Sequence, residues 1–303
     1  MEKIIEESFS LIKNSDCDGV SVAIIDFKTG KVDLFENYKN KIVDNPFIYY
    51  DLASLSKPLC NSFSYISNKI QDDNLLLLLN HRAGIPAWGL LSSKTWKEQI
   101  LSYKVNPSSE LYSDFSALRY MLEFEDKTKL KLKDVLCENI DQNIKFWTDL
   151  DGTEFCLQNG FYKQKPNIGC VHDPNAYNLK VFVNHAGLFS KIDSLANSLI
   201  QFNEKFDFIS LVASKMREEK NKNRFVYGFD TVRDPQNTLA GNGCSEFTFG
   251  HLGFTGTSFW IDAERNIGHV ILTNSTKKYW YSKHYLTMFR KIVGNLTWQT
   301  TSR

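Results

Sequence analysis

Phe249-Gly250-His251-Leu252-Gly253-Phe254-Thr255-Gly256-Thr257-Ser258-Phe259-Trp260-Ile261-Asp262 is rich in glycine, yet it runs into the β-branched and aromatic residues of a strand. Glycines inside a strand mark a bulge or the close approach of a backbone or a ligand. The stretch therefore reads as a sheet element and a candidate site wall, and a bulged strand with a half-buried His251 reads it as well. Phe247 to Asp262 is expected to be extended, Ala263-Glu264-Arg265-Asn266 to turn, and Ile267 to Leu272 to form a second strand. At the other end, Ser21 to Asp26, Lys28-Thr29-Gly30-Lys31 and Val32 to Phe35 spell strand, turn, strand. Ile4, Ile5, Phe9, Leu11 and Ile12 suggest a short amphipathic helix before them. Tyr285, Leu286, Phe289, Ile292 and Val293 fall at helical spacing and place another helix over Tyr281 to Val293. Between about residues 61 and 224 the pattern is mostly helix and loop, as in Ser194 to Phe206. A sheet built from both chain ends, with a helical insertion between them, is the simplest architecture.

The chain of 303 residues is long enough for one large domain or two interleaved ones. Hydrophobic content of 42% with 23% charged residues excludes a disordered or fibrous protein. Lys plus Arg number 36 against 35 Asp plus Glu, and this balance lacks the basic field that a nucleic acid partner requires. The longest aliphatic run, Leu75 to Leu79, is far too short for a membrane span. Met1-Glu2-Lys3-Ile4-Ile5-Glu6-Glu7 is not a secretory signal, so a cytoplasmic location is expected if Met1 is the native start, and a periplasmic one if a signal has been removed. The six cysteines are dispersed without a C-x-x-C, which favours free thiols.

Ser54-Leu55-Ser56-Lys57 places a hydroxyl and an amine nearly one helical turn apart, on one face. A neutral Lys57 can take the Ser54 proton if burial or a nearby cation lowers its pKa. Pro58 supports a helix that begins near Ser54, whose N-terminal N–H groups favour an oxyanion. The motif alone is weak, because Ser10-Leu11-Ile12-Lys13 and Ser275-Thr276-Lys277-Lys278 repeat it. The first of these reads as an exposed helix face and the second as a solvated turn. Tyr112-Ser113-Asp114 follows the loop-forming Asn106-Pro107-Ser108-Ser109, which can set a Tyr hydroxyl in a cleft or merely satisfy it in a loop.

In this order, S-x-x-K, Y-S-D and H-x-G resemble the motifs of the serine β-lactamase and penicillin-binding-protein superfamily, which includes class C-like hydrolases and esterases. Leu77-Leu78-Leu79-Asn80-His81-Arg82-Ala83-Gly84-Ile85-Pro86 is similar to that group's "LLTHTSGLP". Val171-His172-Asp173-Pro174-Asn175-Ala176 with His185-Ala186-Gly187-Leu188-Phe189-Ser190 is similar to "VHDENA…GHAGLFS". Phe249 to Asp262 looks like "FGHTGFTGTSLWID", and Leu272-Thr273-Asn274 like the "LTN" after it. The resemblance covers about residues 20 to 275.

It implies an α+β, β-lactamase-like fold: an antiparallel sheet flanked by helices with an inserted, shortened helical subdomain. Residues 1–60 and 225–303 would form the discontinuous sheet domain and 61–224 the helical subdomain, with the active site in the cleft between them. By similarity, Ser54 would be the acyl-forming nucleophile, Lys57 its proton acceptor, and Tyr112 a proton shuttle to the leaving group. The backbone N–H groups of Ser54 and Phe254 would form the oxyanion hole. Asp114, His251, Gly253 and Thr255 would contact substrate. Asp114 adds a charge that could hold Lys57 protonated, and a neutral His251 weakens recognition of a substrate carboxylate. His172 and Asp173 are expected either in the cleft or in a structural loop.

The resemblance implies no metal or other cofactor, and the His and Cys spacing shows no zinc pattern. The implied partner is a small-molecule or peptide substrate, with peptidoglycan fragments as one class. A D-alanyl peptidase or carboxypeptidase on muropeptide-like substrates ranks first, a carboxylesterase second, and a catalytically inactive binding pseudoenzyme third.

Two departures stand out. Family members usually carry roughly 50 residues between the S-x-x-K lysine and the segment containing His81. Here His81 follows Lys57 by 24 positions. Asn184 also replaces the first Gly of "GHAG". Asp16-Cys17-Asp18-Gly19 and Asp149-Leu150-Asp151-Gly152 look like calcium loops but lack the twelve-residue pattern and read as turns. Most of Trp88, Trp96, Trp147 and Trp260 are expected in the core.

Overall fold

The computed structural model describes residues 1–220, 222–278 and 283–299. The chain opens with helix α1 (Glu2–Asn14) and the antiparallel strands β1 (Gly19–Asp26), β2 (Lys31–Tyr38) and β3 (Lys41–Val43). Lys39 and Asn40 between β2 and β3 both have positive φ (50° and 62°), as a two-residue hairpin turn demands. Strand β4 (Ile48–Asp51) then delivers the chain to a helical run over residues 53–67 that ends as α2 (Phe63–Ser67).

The inserted segment continues with α3 (Asp73–Leu79), α4 (Trp96–Ser102), α5 (Asp114–Thr128) and α6 (Leu132–Cys137). After them come β5 (Lys145–Phe146), β6 (Phe155–Cys156), the hairpin β7 (Gln158–Tyr162) and β8 (Lys165–Ile168), α7 (Pro174–Leu179) and β9 (Leu188–Ser190). The last part holds α8 (Ile192–Phe206), α9 (Phe208–Glu218), β10 (Phe225–Val226), β11 (Phe229–Thr231), β12 (Thr248–Leu252), β13 (Ser258–Asp262), β14 (Ile267–Thr273) and α10 (Lys283–Gln299).

Eight strands form the main antiparallel sheet in the order β10-β11-β12-β13-β14-β1-β2-β3. The two chain ends meet inside it, where β1 pairs with β14 from Val20↔Thr273 to Asp26↔Ile267. Alternation along β1 sorts the two faces. Val20 and Val22 pack with Ile4, Leu11, Phe289 and Val293 of α1 and α10, while Ala23 and Ile25 join the larger core. Helix α8 packs on β1, β2 and β14, although it lies within the inserted segment 61–224. Phe202 of α8 stacks on Phe63 with ring centroids 3.6 Å apart and ties the helical run to this layer.

Two expectations are corrected. Phe247 to Asp262 is not one strand: it breaks after Leu252 and pairs with itself, Thr248↔Asp262 to Leu252↔Ser258. The break is forced by packing, since a Cβ on Gly253 would stand 1.9 Å from Thr257 Oγ1 and 2.7 Å from the Leu52 carbonyl. Within the mostly helical inserted segment, β5, β6 and β9 join β4 in a second sheet and β7–β8 form a hairpin. Ser275 is buried, its hydroxyl 2.7 Å from that of Thr273, so it does not sit in a solvated turn.

Ser10 and Lys13 do lie exposed on α1. Tyr281, expected to begin the last helix, lies outside the described residues, and the helix is described from Lys283. None of the six cysteines is paired. Three of the four aspartates in the two calcium-like turns hold lysines, Asp16 with Lys278, Asp18 with Lys277 and Asp149 with Lys133, and Asp151 accepts from Thr153.

Candidate active site

Strand β4 ends at Asp51, and the helical run starts two residues later. Ala53, between them, has φ +47°, a left-handed conformation that costs a residue with a Cβ about 1 kcal/mol or more. Its N–H donates to Asp51 Oδ1 at 2.8 Å, which holds the strained turn. Ser54 follows with its side chain half-buried at the floor of a cavity of about 380 Å³. Across it, the β12–β13 turn is fastened to the same segment: Thr255 Oγ1 donates to the Asp51 carbonyl at 2.6 Å and Thr257 Oγ1 to the Leu52 carbonyl at 3.0 Å.

Lys57 lies one turn beyond Ser54, and its ammonium is buried among oxygens. Nζ stands 3.0 Å from Ser54 Oγ, 2.9 Å from the His185 carbonyl and 2.7 Å from Asp114 Oδ1. The Tyr112 hydroxyl lies close enough to Ser54 and Lys57 to interact with both, and its ring centroid is 5.1 Å from Nζ. Burial works to lower the pKa of Lys57, but the charge and hydrogen bond of Asp114 outweigh it and raise the pKa above its ordinary value. Lys57 is thus a cation at rest. Burial raises the Tyr112 phenol, with the Lys57 charge opposing, so the hydroxyl stays neutral. Asp114 is placed by helix α5, whose N-cap Ser113 accepts from the Ser116 N–H at 2.8 Å.

Two imidazoles flank Tyr112. His81 accepts the Ser113 N–H at Nδ1 (3.1 Å), which fixes it as the Nε2–H tautomer when neutral. Burial and the Lys57 charge hold its pKa well below the usual range, and its ring lies 4.7 Å from that of Tyr112. His251 is pushed down to about 3, first by burial and then by Lys57, and its Nδ1 faces the Leu252 carbonyl at 2.9 Å. A carbonyl only accepts, so Nδ1 carries the proton. Neither ring is a cation at neutral pH, as expected for His251.

Ser54, Lys57, Tyr112, Asp114, His172, Asp173 and Phe254 all border the one cavity. His251 and Gly253 border its continuation of about 260 Å³ on the side of Arg224 and Arg290, together with Ser54 and Tyr112. Thr255 differs from the expectation: it is 1% exposed and its hydroxyl is given to Asp51, so it fastens the turn instead of contacting substrate. His172 leans on Phe254, their rings 5.1 Å apart. Asp173 N-caps α7 through Ala176 N–H and accepts from His185 Nε2 at 2.9 Å. Burial would raise its pKa, but the contact with His185 prevails and holds it at about 2.

Sequence reasoning missed three contributors. Trp88, 48% exposed, stands on the cavity rim and is not a core residue. His185 supplies the carbonyl that holds Lys57. Asp51 holds the turn that precedes Ser54. Asn184, the departure from the family's glycine, spans Asn61 Oδ1 (2.7 Å) and the Ala117 carbonyl (2.6 Å) with its amide nitrogen.

No protein-family model matches the chain, and neither does any curated protein. Solved structures do. A hydrolase with promiscuous acyltransferase activity, EstCE1, superposes with a TM-score of 0.66 at 17% identity, over 97% of this chain and 98% of its own. A β-lactamase from Mycobacterium bovis superposes with a TM-score of 0.61 at 13% identity, over 98% of this chain and 100% of its own. The chain has the β-lactamase-like fold.

Proposed function

We propose that the protein is a serine hydrolase that works through an acyl-Ser54 intermediate, and that its preferred substrate is an uncharged ester with an apolar or aromatic group. The observation that carries this reading is the set Ser54–Lys57–Tyr112–Asp114 in a cavity that Trp88, Pro174, Ala186 and Phe254 also line, beside His172 and Asp173. Ser54 Oγ attacks the ester carbonyl while its proton passes to Lys57 and Lys57 hands one to Asp114 Oδ1. The pair thus gains the Ser54 proton, held as the Asp114 carboxylic acid beside the Lys57 ammonium, and no free neutral lysine is needed. The oxyanion is received at the Ser54 and Phe254 backbone N–H groups. Tyr112 gives its hydroxyl proton to the leaving oxygen as that C–O bond breaks and regains one from Lys57, which reclaims its own from Asp114. Water then repeats the sequence on the acyl-serine and releases the acid.

The preference for an ester rests on the walls. A second pocket of about 240 Å³, lined by Phe161, Tyr162, Val171 and Tyr177, adjoins the first through His172 and Pro174. Its one amide, Asn167, already donates to the Asn159 side chain and to the Cys170 and Val171 carbonyls. Such walls gain from apolar surface and give nothing to a charge.

The D-alanyl peptidase remains the second reading, favoured by Arg224 and Arg290 on the opposite side of the cleft. Arg224, however, donates from Nε and one terminal nitrogen to Asp230 (2.9 Å each), and Arg290 donates to the Thr257 carbonyl at 2.8 Å. The test is a panel of p-nitrophenyl esters from acetate to octanoate beside a D-alanyl-D-alanine peptide. Turnover of the esters with little of the peptide is expected. Faster release of D-alanine would replace the ester reading with the peptidase.

A further inference from the structure

We propose that Asp51 is a positioning residue: its buried carboxylate clamps the strained turn that presents Ser54 to the loop that forms the His172 wall. The inference rests on the hydrolase reading above.

Asp51 is 3% exposed, and three N–H groups donate to its carboxylate. Oδ1 accepts from Ala53 N at 2.8 Å, and Oδ2 from His172 N at 2.6 Å and Asn159 Nδ2 at 2.8 Å. Its own carbonyl accepts from Thr255, so the β12–β13 turn joins the same residue. Asn159 extends the clamp, since it also donates to the Cys170 carbonyl at 3.0 Å and accepts from Asn167 at 2.9 Å. Ala53 and His172 are both cavity walls, whereas Asp51 does not reach the cavity. A side chain that touches no substrate thereby sets the separation of nucleophile and wall.

The contact with Ala53 matters most. Its φ of +47° is uphill for a residue with a Cβ, and the hydrogen bond to Oδ1 opposes relaxation to negative φ. Relaxation would rotate the start of the helical run and carry Ser54 Oγ away from Lys57 Nζ. Only a group with two acceptor oxygens satisfies all three donors. Burial pushes the carboxyl up to about 7, opposed by the hydrogen bonds from His172 and Ala53, which marks how costly this charge is to keep inside.

Asp51→Asn tests it. The amide must turn an NH2 towards at least one N–H, and either the turn or the wall is released. The readout is the second-order rate of fluorophosphonate labelling per folded molecule, with kcat and KM for p-nitrophenyl butyrate. The rate and kcat should fall about 100-fold, as for a nucleophile displaced by an ångström, while KM shifts less than about threefold. Adding Ala53→Gly, which adopts positive φ freely, should restore part of the lost rate in the double variant.

Folded Asp51→Asn labelled at the wild-type rate would overturn the inference and leave the hydrolase reading intact. So would a rate loss that Ala53→Gly leaves untouched together with a large rise in KM. If Asp51→Asn does not fold, Asn159→Ala, which removes one donor to the same carboxylate, must show the kcat-weighted loss or the inference fails. An unlabelled wild type would instead overturn the hydrolase reading, and the positioning role with it.

Discussion

Replacing Asp114 by Asn isolates what holds the proton on Lys57. The carboxylate oxygen lies 2.7 Å from Nζ with the lysine side chain 4% exposed. At an effective dielectric constant of about 20, two unit charges at that distance attract by about 6 kcal/mol, an upper figure for the pair. Opposite charges this close ordinarily move a pKa by about 1 to 3 units. Asn keeps the shape and an acceptor oxygen but removes the charge. Burial, which already works to lower the pKa of Lys57, is then no longer outweighed, and the ammonium should titrate below its ordinary value. In the wild type the pair carries one proton across the neutral range, so its contribution to acylation is flat with pH. In Asp114→Asn the proton on Lys57 must leave first, and the rate should fall about tenfold for each pH unit below the new pKa. The assay is the fluorophosphonate labelling rate of both proteins from pH 6 to 9.5, read as the ratio of variant to wild type, in which every limb common to both cancels. A ratio that rises several-fold to tenfold or more across that range is expected. A ratio constant with pH would refute the argument that Asp114 keeps Lys57 charged.

Other consequences follow from the same contacts. Within the apolar pocket each methylene added to the acyl chain should raise kcat/KM about fourfold until the pocket fills; Tyr177→Ala, which removes one wall, should weaken that dependence in the p-nitrophenyl ester series and leave acetate turnover nearly unchanged. Asp173, held at about 2 by His185, contributes stability that is present above the ordinary carboxylate pKa and is lost as pH falls from about 4 towards 2. Urea unfolding at pH 6 should therefore show Asp173→Asn destabilised by roughly 2 kcal/mol, and the difference should shrink by pH 2.5. Phe63→Ala removes the ring stacked at 3.6 Å on Phe202 and should cost about 3 to 5 kcal/mol in the same unfolding assay.

The parts legible in the sequence are those whose signal is local. Ser54 and Lys57 share a helix face because their spacing is close to one turn, and β1, β2 and β14 alternate or run apolar over seven or eight residues. The break at Gly253 was hidden because strand-forming residues lie on both sides of it, and the approach of Thr257 and the Leu52 carbonyl forbids a Cβ there. The small strands escaped because β5 and β6 have two residues each and depend on partners far along the chain. Asp51 escaped for the same reason: Asn159 and His172 lie 108 and 121 positions away. Thr255 was assigned to substrate on the strength of its motif, yet the nearest acceptor to its hydroxyl is the Asp51 carbonyl. Trp88 shows the converse, an aromatic residue whose composition favours the core but whose loop leaves it on the rim.

The central claim is that Ser54 is an activated nucleophile. Intact-protein mass after incubation with a fluorophosphonate, for wild type and Ser54→Ala, tests it most directly. The account predicts one phosphonyl adduct on the wild type and none on the variant, with circular dichroism unchanged between them. A wild type that stays unlabelled, or a Ser54→Ala variant labelled as readily, would contradict it, and the unlabelled case would leave a cavity that binds without turnover.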